Sequence, residues 1–435
     1  MLARIEHLRA EAGAGAEADV EDDLALMGYV GASVGTAGEE DRLRNLEERF
    51  DAHVRRWMTD GRASLKSLLT IDELRARIGS RTALLNQFVG KTEGGQLAFI
   101  SEVYTDDTTL AAVGILELPG AVIQMGDVEM GWFGPTIAAV RDAVVEEPGP
   151  AEVTPKAAVS LAEAAKNMLG GGLYAQLRAL RKGGKDHLCI HPHGPFHFYP
   201  QHLIGPEGEP LASDWIVSYL PHPTLLRRSE RSSAPTARME VAALGLDFAD
   251  GAHGLGPLYG AVDEAQAVAG AFGGQCWINR DATKARLLEA LTGARRVHLA
   301  THGSHHPSAP MFQRLYLHPD ETSDGVFYAY ELISLDLSSL DLVTLSACET
   351  SLGRFDIGDT LRGLTASLFV AGAATIVATL WPVGDEPARL FFERLYRSLS
   401  EGSGKLDAFR AAQVDTRAAF PAYRDWGAFQ YLGLW

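Results

Sequence analysis

A chain of 435 residues, 46% hydrophobic and 22% charged, holds two or three ordinary domains or one large α/β domain with additions, and is too apolar for disorder on the scale of a whole domain. A formal charge of −17 argues against nucleic acid as the main ligand, because phosphate binding needs a basic surface. Three cysteines, Cys189, Cys276 and Cys348, exclude a disulfide scaffold and fit a reducing compartment.

The amino terminus, MLARIEHLRAEAGAG, lacks the apolar centre of a signal peptide. The residues from 1 to about 66 read as helical. Leu43, Leu46, Phe50, Val54 and Trp57 recur at gaps of three and four, which makes one apolar stripe for packing within the chain or onto a partner. Residues 67–155 change texture. A short helix begins near Ile71, and β-type runs follow at 83–89, 96–104, 110–116 and 121–125, separated by turn residues. The segment 145–155 reads as a linker.

From 156 to 435 the pattern alternates. A helix across 157–180, interrupted at Gly170–Gly172, leads to a strand at 187–190. Further short apolar runs lie at 240–246, 275–279, 296–300, 342–347 and 375–380, with helices at 263–272 and 283–291 between them. Buried strands alternating with helices imply an α/β fold, a mostly parallel sheet flanked by helices. The uncharged run at 363–381 raises the question of a membrane span, but Gly372 breaks it midway. It reads as a buried helix followed by a buried strand, in a cytoplasmic protein without a membrane partner. The cluster Arg227, Arg228 and Arg231 reads as a solvated loop, so no nucleic acid is expected.

In such sheets chemistry collects at the carboxyl ends of the strands, and two ends stand out. Val297-His298-Leu299-Ala300-Thr301 stops at His302-Gly303, and Leu342-Val343-Thr344-Leu345-Ser346-Ala347 stops at Cys348. A cysteine thiol is nucleophilic once deprotonated, and an imidazole can take its proton and deliver it to a leaving amine. The separation of 46 residues (348 − 302) is close to the spacing of about 50 found between the histidine and cysteine of caspases. Gly303, with no side chain, can turn its N–H into the cleft and share an oxyanion with the N–H of Cys348.

The segments HLATHG, DLVTLSACETSLG, GDTLRGLTASLFVAGAATIVATLWPVGD and DWGAFQYLG, with the earlier CIHPHGPFHFYPQHLI and ALLNQFVGKTEGGQLAFI, resemble the CHAT domain, a caspase-like cysteine peptidase module in the clan of caspases and separases. The resemblance implies a cysteine endopeptidase acting on a protein substrate through an acyl-enzyme on Cys348. His302 would be the general acid/base, and no cofactor would be needed. Such modules occur with tetratricopeptide repeats and in bacterial defence and signalling, which leaves room for a regulatory protein partner. Residues 1–66 and the β-rich segment are expected to regulate the enzyme or bind that partner. By position, Trp381, Val383 and Asp385 match the family's substrate-cleft wall, and Asp359 an acidic position of the specificity pocket. Read on its own, Asp359 equally suits the N-cap of a helix from Leu361. Ser351, Thr360 and His193 depart from the family pattern, and none of them belongs to the dyad.

Two other readings are weighed. The clusters His191, His193, His197 and His302, His305, His306 lack companion cysteines and an i, i+4 pair, so no metal is expected. An interaction module that kept the fold without catalysis is the rival, and the intact dyad speaks against it.

Overall fold

The apolar runs pair into one large sheet in the computed structural model, which describes residues 69–91, 97–115, 168–170, 172–193, 196–197, 199–205, 209–230, 239–304, 310–347, 354–356 and 360–435. The stripe within 1–66, the run at 121–125 and the helix expected ahead of residue 168 lie outside the described residues.

In chain order, α1 (Ile71–Ile78) leads to β1 (Thr82–Lys91), β2 (Leu97–Tyr104) and β3 (Thr109–Ile115). Next come α2 (Leu173–Lys182), β4 (His187–His191), α3 (Leu211–Asp214), β5 (Ile216–Tyr219), β6 (Met239–Gly245) and α4 (Ala261–Gly270). β7 (Gln275–Ile278), α5 (Lys284–Gly293) and β8 (Ala294–Ala300) follow, then the short strands β9 (Gly303–Ser304), β10 (Arg314–Tyr316) and β11 (Val326–Tyr328). The chain continues through α6 (Ala329–Leu332), β12 (Leu342–Ser346), β13 (Arg354–Asp356), β14 (Thr360–Arg362) and α7 (Leu364–Ala371). It ends with β15 (Thr375–Thr379), α8 (Asp385–Ser400), α9 (Lys405–Ala419), α10 (Tyr423–Trp426) and β16 (Phe429–Gly433).

Among the described residues the main sheet has eleven strands in the order β3-β2-β1-β4-β5-β16-β15-β12-β8-β6-β7. β1, β4 and β5 form one parallel run, and β15, β12, β8, β6 and β7 another. β16 lies between them, antiparallel to β15 and touching β5 at one bridge from Leu432 to Tyr219. The strands expected ahead of the core extend its own sheet, because β1 pairs with β4 from Thr82–His187 to Asn86–His191. The sequence reading had missed β5 and β16.

Successive side chains of a strand face opposite ways, so the sheet has two cores. Val241, Ala243, Leu342 and Val377 pack with Phe391, Phe392, Tyr396 and Phe409 of α8 and α9. Ala242, Leu244, Val297, Leu299, Val343 and Leu345 pack with Leu287, Leu291, Leu364 and Leu368 of α5 and α7. Covering both faces is what a parallel sheet requires. The uncharged run resolves as α7 and β15, with Gly372 between them at φ 125°, where a Cβ would come within 2.8 Å of the Ser338 nitrogen. No helix among the described residues is long and apolar enough to cross a membrane.

Buried imidazoles tie the strands together. His187 is fully buried, with Nδ1 2.9 Å from Thr82 Oγ1 and Nε2 2.7 Å from Ser218 Oγ. Burial pushes its pKa down to about 3, and that of His202 down to about 4. A depressed histidine pKa stabilises the fold fully above the unfolded value near 6.5, and that stability is lost as pH falls towards the folded value. The thermal midpoint is therefore expected to fall steadily between pH 6.5 and pH 4, each histidine contributing up to about 1.4 kcal/mol per pH unit. Replacing His187 by Gln should flatten that decline, and an unchanged slope would show that His187 does not drive it.

Candidate active site

The site begins with the register of two strands. β8 and β12 are parallel neighbours, pairing His298 with Thr344 and Ala300 with Ser346. Beneath the strand ends a buried polar network locks this register. His298 Nδ1 lies 2.8 Å from Thr344 Oγ1, its Nε2 lies 3.0 Å from Glu264 Oε1 on α4, and Thr344 Oγ1 lies 2.8 Å from the Tyr396 hydroxyl. A shift of one residue would leave these groups unpaired in the core, at a cost of roughly 1–3 kcal/mol each.

Past Ala300 the chain is held from both sides. Thr301 donates its N–H to the Ser346 carbonyl (3.1 Å) and its hydroxyl to the Tyr316 carbonyl, while Tyr316 N–H donates to the His302 carbonyl (3.1 Å). His302 is thereby presented half-exposed at the carboxyl end of the sheet. Its Nε2 lies 2.8 Å from the Gly256 carbonyl. A carbonyl only accepts, so Nε2 carries the proton, and in the neutral ring Nδ1 is left as the base. The Phe248 ring packs on the imidazole with centroids 5.1 Å apart.

Gly256 belongs to the connection between β6 and α4, to which sequence reasoning assigned no role beyond finding that LGPLYGA matches no phosphate loop. All three non-glycine residues with positive φ among the described residues belong to it or hold it: Phe248 (51°), His253 (58°) and Asn279 (48°). Asn279 Oδ1 accepts the Asp247 N–H (3.0 Å), and His253 Nε2 donates to the Leu317 carbonyl (2.7 Å). Such backbone conformations persist only where surroundings impose them, and they gather at functional sites. The density of glycine and proline between residues 251 and 260 was the available signal.

Gly303 opens β9, opposite Leu315 of β10. Because Tyr316 N–H bonds the His302 carbonyl, Gly303 and Leu315 form a non-hydrogen-bonded pair, so the Gly303 N–H points away from β10. Cys348 and Asp359 lie outside the described residues, as do His305 and His306. Past β12 the last described residue before Cys348 is Ala347, whose carbonyl accepts the Thr379 hydroxyl (2.9 Å). This bond joins the ends of β12 and β15.

Three further placements bear on the expected site. Trp381 does not line a cleft: it is fully buried, and its indole N–H donates to the Arg424 carbonyl (2.8 Å), because an aromatic ring leaving a central strand is best buried in the core. Val383 is half-buried and packs on both cores, while Asp385 is exposed at the first turn of α8, with Oδ2 accepting the Gly260 N–H (3.1 Å). The helix for which Asp359 was considered as a cap does not start at Leu361. The helix begins at Leu364, Gly363 is its N-cap, and the Leu364 N–H is satisfied by Gln313 Oε1 (2.8 Å), while Thr360–Arg362 is strand.

The other thiols are poor nucleophiles. Cys189 is fully buried and its pKa is pushed up to about 12 by desolvation. Cys276, on the edge strand β7, is half-buried and raised in the same direction. His191 and His197 are neighbours, with ring centroids 6.1 Å apart, and His191 Nδ1 lies 2.8 Å from the Leu220 carbonyl. Among the described residues no group of three or more His, Cys, Asp or Glu is arranged to hold a metal ion.

The family described as CHAT domain matches residues 159–434. Tetratricopeptide repeat protein 28 of Mus musculus is 30% identical over 213 residues, 41% of this chain and 9% of its own length. The Homo sapiens protein of the same name is 28% identical over 41% of this chain and 8% of its own. The chain thus spans less than a tenth of these curated relatives. Among solved structures, the Arg-specific cysteine proteinase gingipain R is similar with a TM-score of 0.44 and 12% identity, covering 65% of this chain and 67% of that one. The Saccharomyces cerevisiae separase–securin complex gives a TM-score of 0.40 and 15% identity, covering 61% of this chain and 17% of that one.

Proposed function

Because the chain belongs to the CHAT-domain family, we propose that it is a cysteine endopeptidase, with Cys348 as nucleophile and His302 as general acid/base. One observation carries the reading. The register that pairs His298 with Thr344 and Ala300 with Ser346 is an offset of 46 residues, and His302 and Cys348 differ by the same 46 (348 − 302). Each stands four residues further along the sequence than its member of a pair, His298 and Thr344, whose Nδ1 and Oγ1 lie 2.8 Å apart.

The proposed chemistry follows from the tautomer. With Nε2–H donated to the Gly256 carbonyl, Nδ1 accepts the thiol proton. The thiolate attacks the scissile carbonyl, and the imidazolium returns its proton to the leaving amine. The acyl-enzyme is then hydrolysed by a water that the same nitrogen deprotonates. The Gly256 carbonyl stabilises the imidazolium, and the N–H groups of Gly303 and Cys348 hold the oxyanion. Asp359 is the residue proposed to select a basic side chain before the scissile bond. Residues 1–66 are proposed to meet a regulatory partner, and the setting to be cytoplasmic defence or signalling.

The test is to incubate a bacterial proteome with the wild-type protein and with Cys348→Ala, then sequence the newly formed amino termini. The wild-type protein should produce termini missing from the variant, with Arg or Lys enriched just before the cut. Identical sets of termini would reject the peptidase. A wild-type set without basic enrichment would reject the role given to Asp359.

A further inference from the structure

We infer that Asp385 is a positioning residue for His302, acting through the connection between β6 and α4; this rests on the proposed peptidase function. The connection carries the Gly256 carbonyl that orients the imidazole, and the carbonyl can do so only if the loop keeps its distance from β8. On the β6 side, Leu258 N–H donates to the Asp247 carbonyl (2.8 Å), and Asp247 is tied to Asn279 through both its N–H and its carboxylate (3.0 Å each). On the α4 side, the next fixed point is Gly260, whose N–H donates to Asp385 Oδ2 (3.1 Å). The fit there is close, because a Cβ on Gly260 would lie 3.0 Å from Asp385 Cβ and 3.4 Å from Asp385 Cγ.

Asp385 opens α8, directly after the segment that leaves β15. It therefore couples the exit of a central strand to the loop that sets the tautomer of His302. The bond needs an acceptor at this position and not a charge. Leu255 and Leu258 of the loop pack against the core, but Tyr259, between the two fixed points, is 77% exposed, so at that position burial contributes little and the hydrogen bond of Gly260 holds the chain.

The experiment compares the wild-type protein with Asp385→Ala and Asp385→Asn by two readouts. The first is the ¹⁵N signal of the His302 ring, assigned by its loss in His302→Gln. The second is the rate at which a peptidyl acyloxymethyl ketone labels Cys348, followed against pH. In the wild-type protein His302 should show a single Nε2–H tautomer. Asp385→Ala should mix the tautomers and slow labelling about tenfold, with an altered pH profile. Asp385→Asn should keep the tautomer and at least half of the labelling rate, because an amide oxygen also accepts the Gly260 N–H. Gly260→Ala strains the same contact from the other side and should move both readouts in the direction of Asp385→Ala, so the question stays answerable if that variant folds poorly. A His302 signal unchanged in Asp385→Ala overturns the inference, and so does an Asp385→Asn protein as impaired as the alanine variant. If the tautomer mixes in Asp385→Ala but even the wild-type protein is never labelled, the positioning stands and the peptidase reading falls.

Discussion

His302→Ala is expected to slow acylation of Cys348 by about 10²–10⁴-fold while leaving the thermal midpoint within about 2 °C of the wild-type value, since substitutions at exposed positions usually cost no more than about 0.5 kcal/mol. Cys348→Ala should abolish acylation outright. The predicted loss for His302 is large because, in the proposed mechanism, two things disappear together: the base that ionises the thiol and the acid that protonates the leaving amine. Fold stability is spared because the side chain is half-exposed, and the β8–β12 register is held four residues earlier by His298 and Thr344. Labelling with a peptidyl electrophile, run beside differential scanning calorimetry, checks both halves. Wild-type labelling rates in a folded His302→Ala protein would remove His302 from the mechanism.

Trp381→Ala is expected to have the largest effect on stability, lowering the free energy of unfolding by about 3–5 kcal/mol. The ring is fully buried, and its N–H holds the Arg424 carbonyl of α10. Removing it leaves a cavity and takes a hydrogen bond from that carbonyl. Urea unfolding should show a much lower midpoint at an unchanged slope. Trp381→Phe should recover most of the loss, leaving about 1–3 kcal/mol for the missing hydrogen bond. A Trp381→Ala protein within 0.5 kcal/mol of wild type would instead place the residue on a surface, as the cleft-wall reading required.

The elements that were legible in the sequence share a physical cause. β6, β8, β12 and β15 are buried on both faces by helices packed against the sheet, so each reads as a short apolar run with its own punctuation. β16 escaped because Phe429–Gly433 pairs with β15 fifty residues earlier and is framed by α10, a helix too short to show a period. The role proposed for His302 could be read from the sequence because a side chain would carry it. The one proposed for Gly256 could not, because a backbone carbonyl contributes through position alone, and any residue type supplies one. Trp381 misled for a related reason: an aromatic residue at a strand exit suits a cleft wall and a core equally, and only the place of its N–H partner decides. The start of the helix at Leu364 was not legible because Gln313, 51 residues upstream, supplies the acceptor for the first helical N–H, a long-range arrangement that local rules cannot see.

The pairing of β1 with β4 bears on where the protein can be cut. The recognisable family begins at residue 159, so a fragment started there would lack β1 and α1. It would present the whole flank of β4, from His187 to His191, as unpaired backbone donors and acceptors. It would also uncover Cys189, which packs in one cluster with Leu74, Ile78 and Leu84, and break the link between His187 and Thr82. A bare strand backed by apolar side chains is a template for self-association. The stretch of chain that homology recognises is therefore shorter than the stretch that can stay monodisperse, and expression work should start ahead of Thr70, whose side chain caps α1.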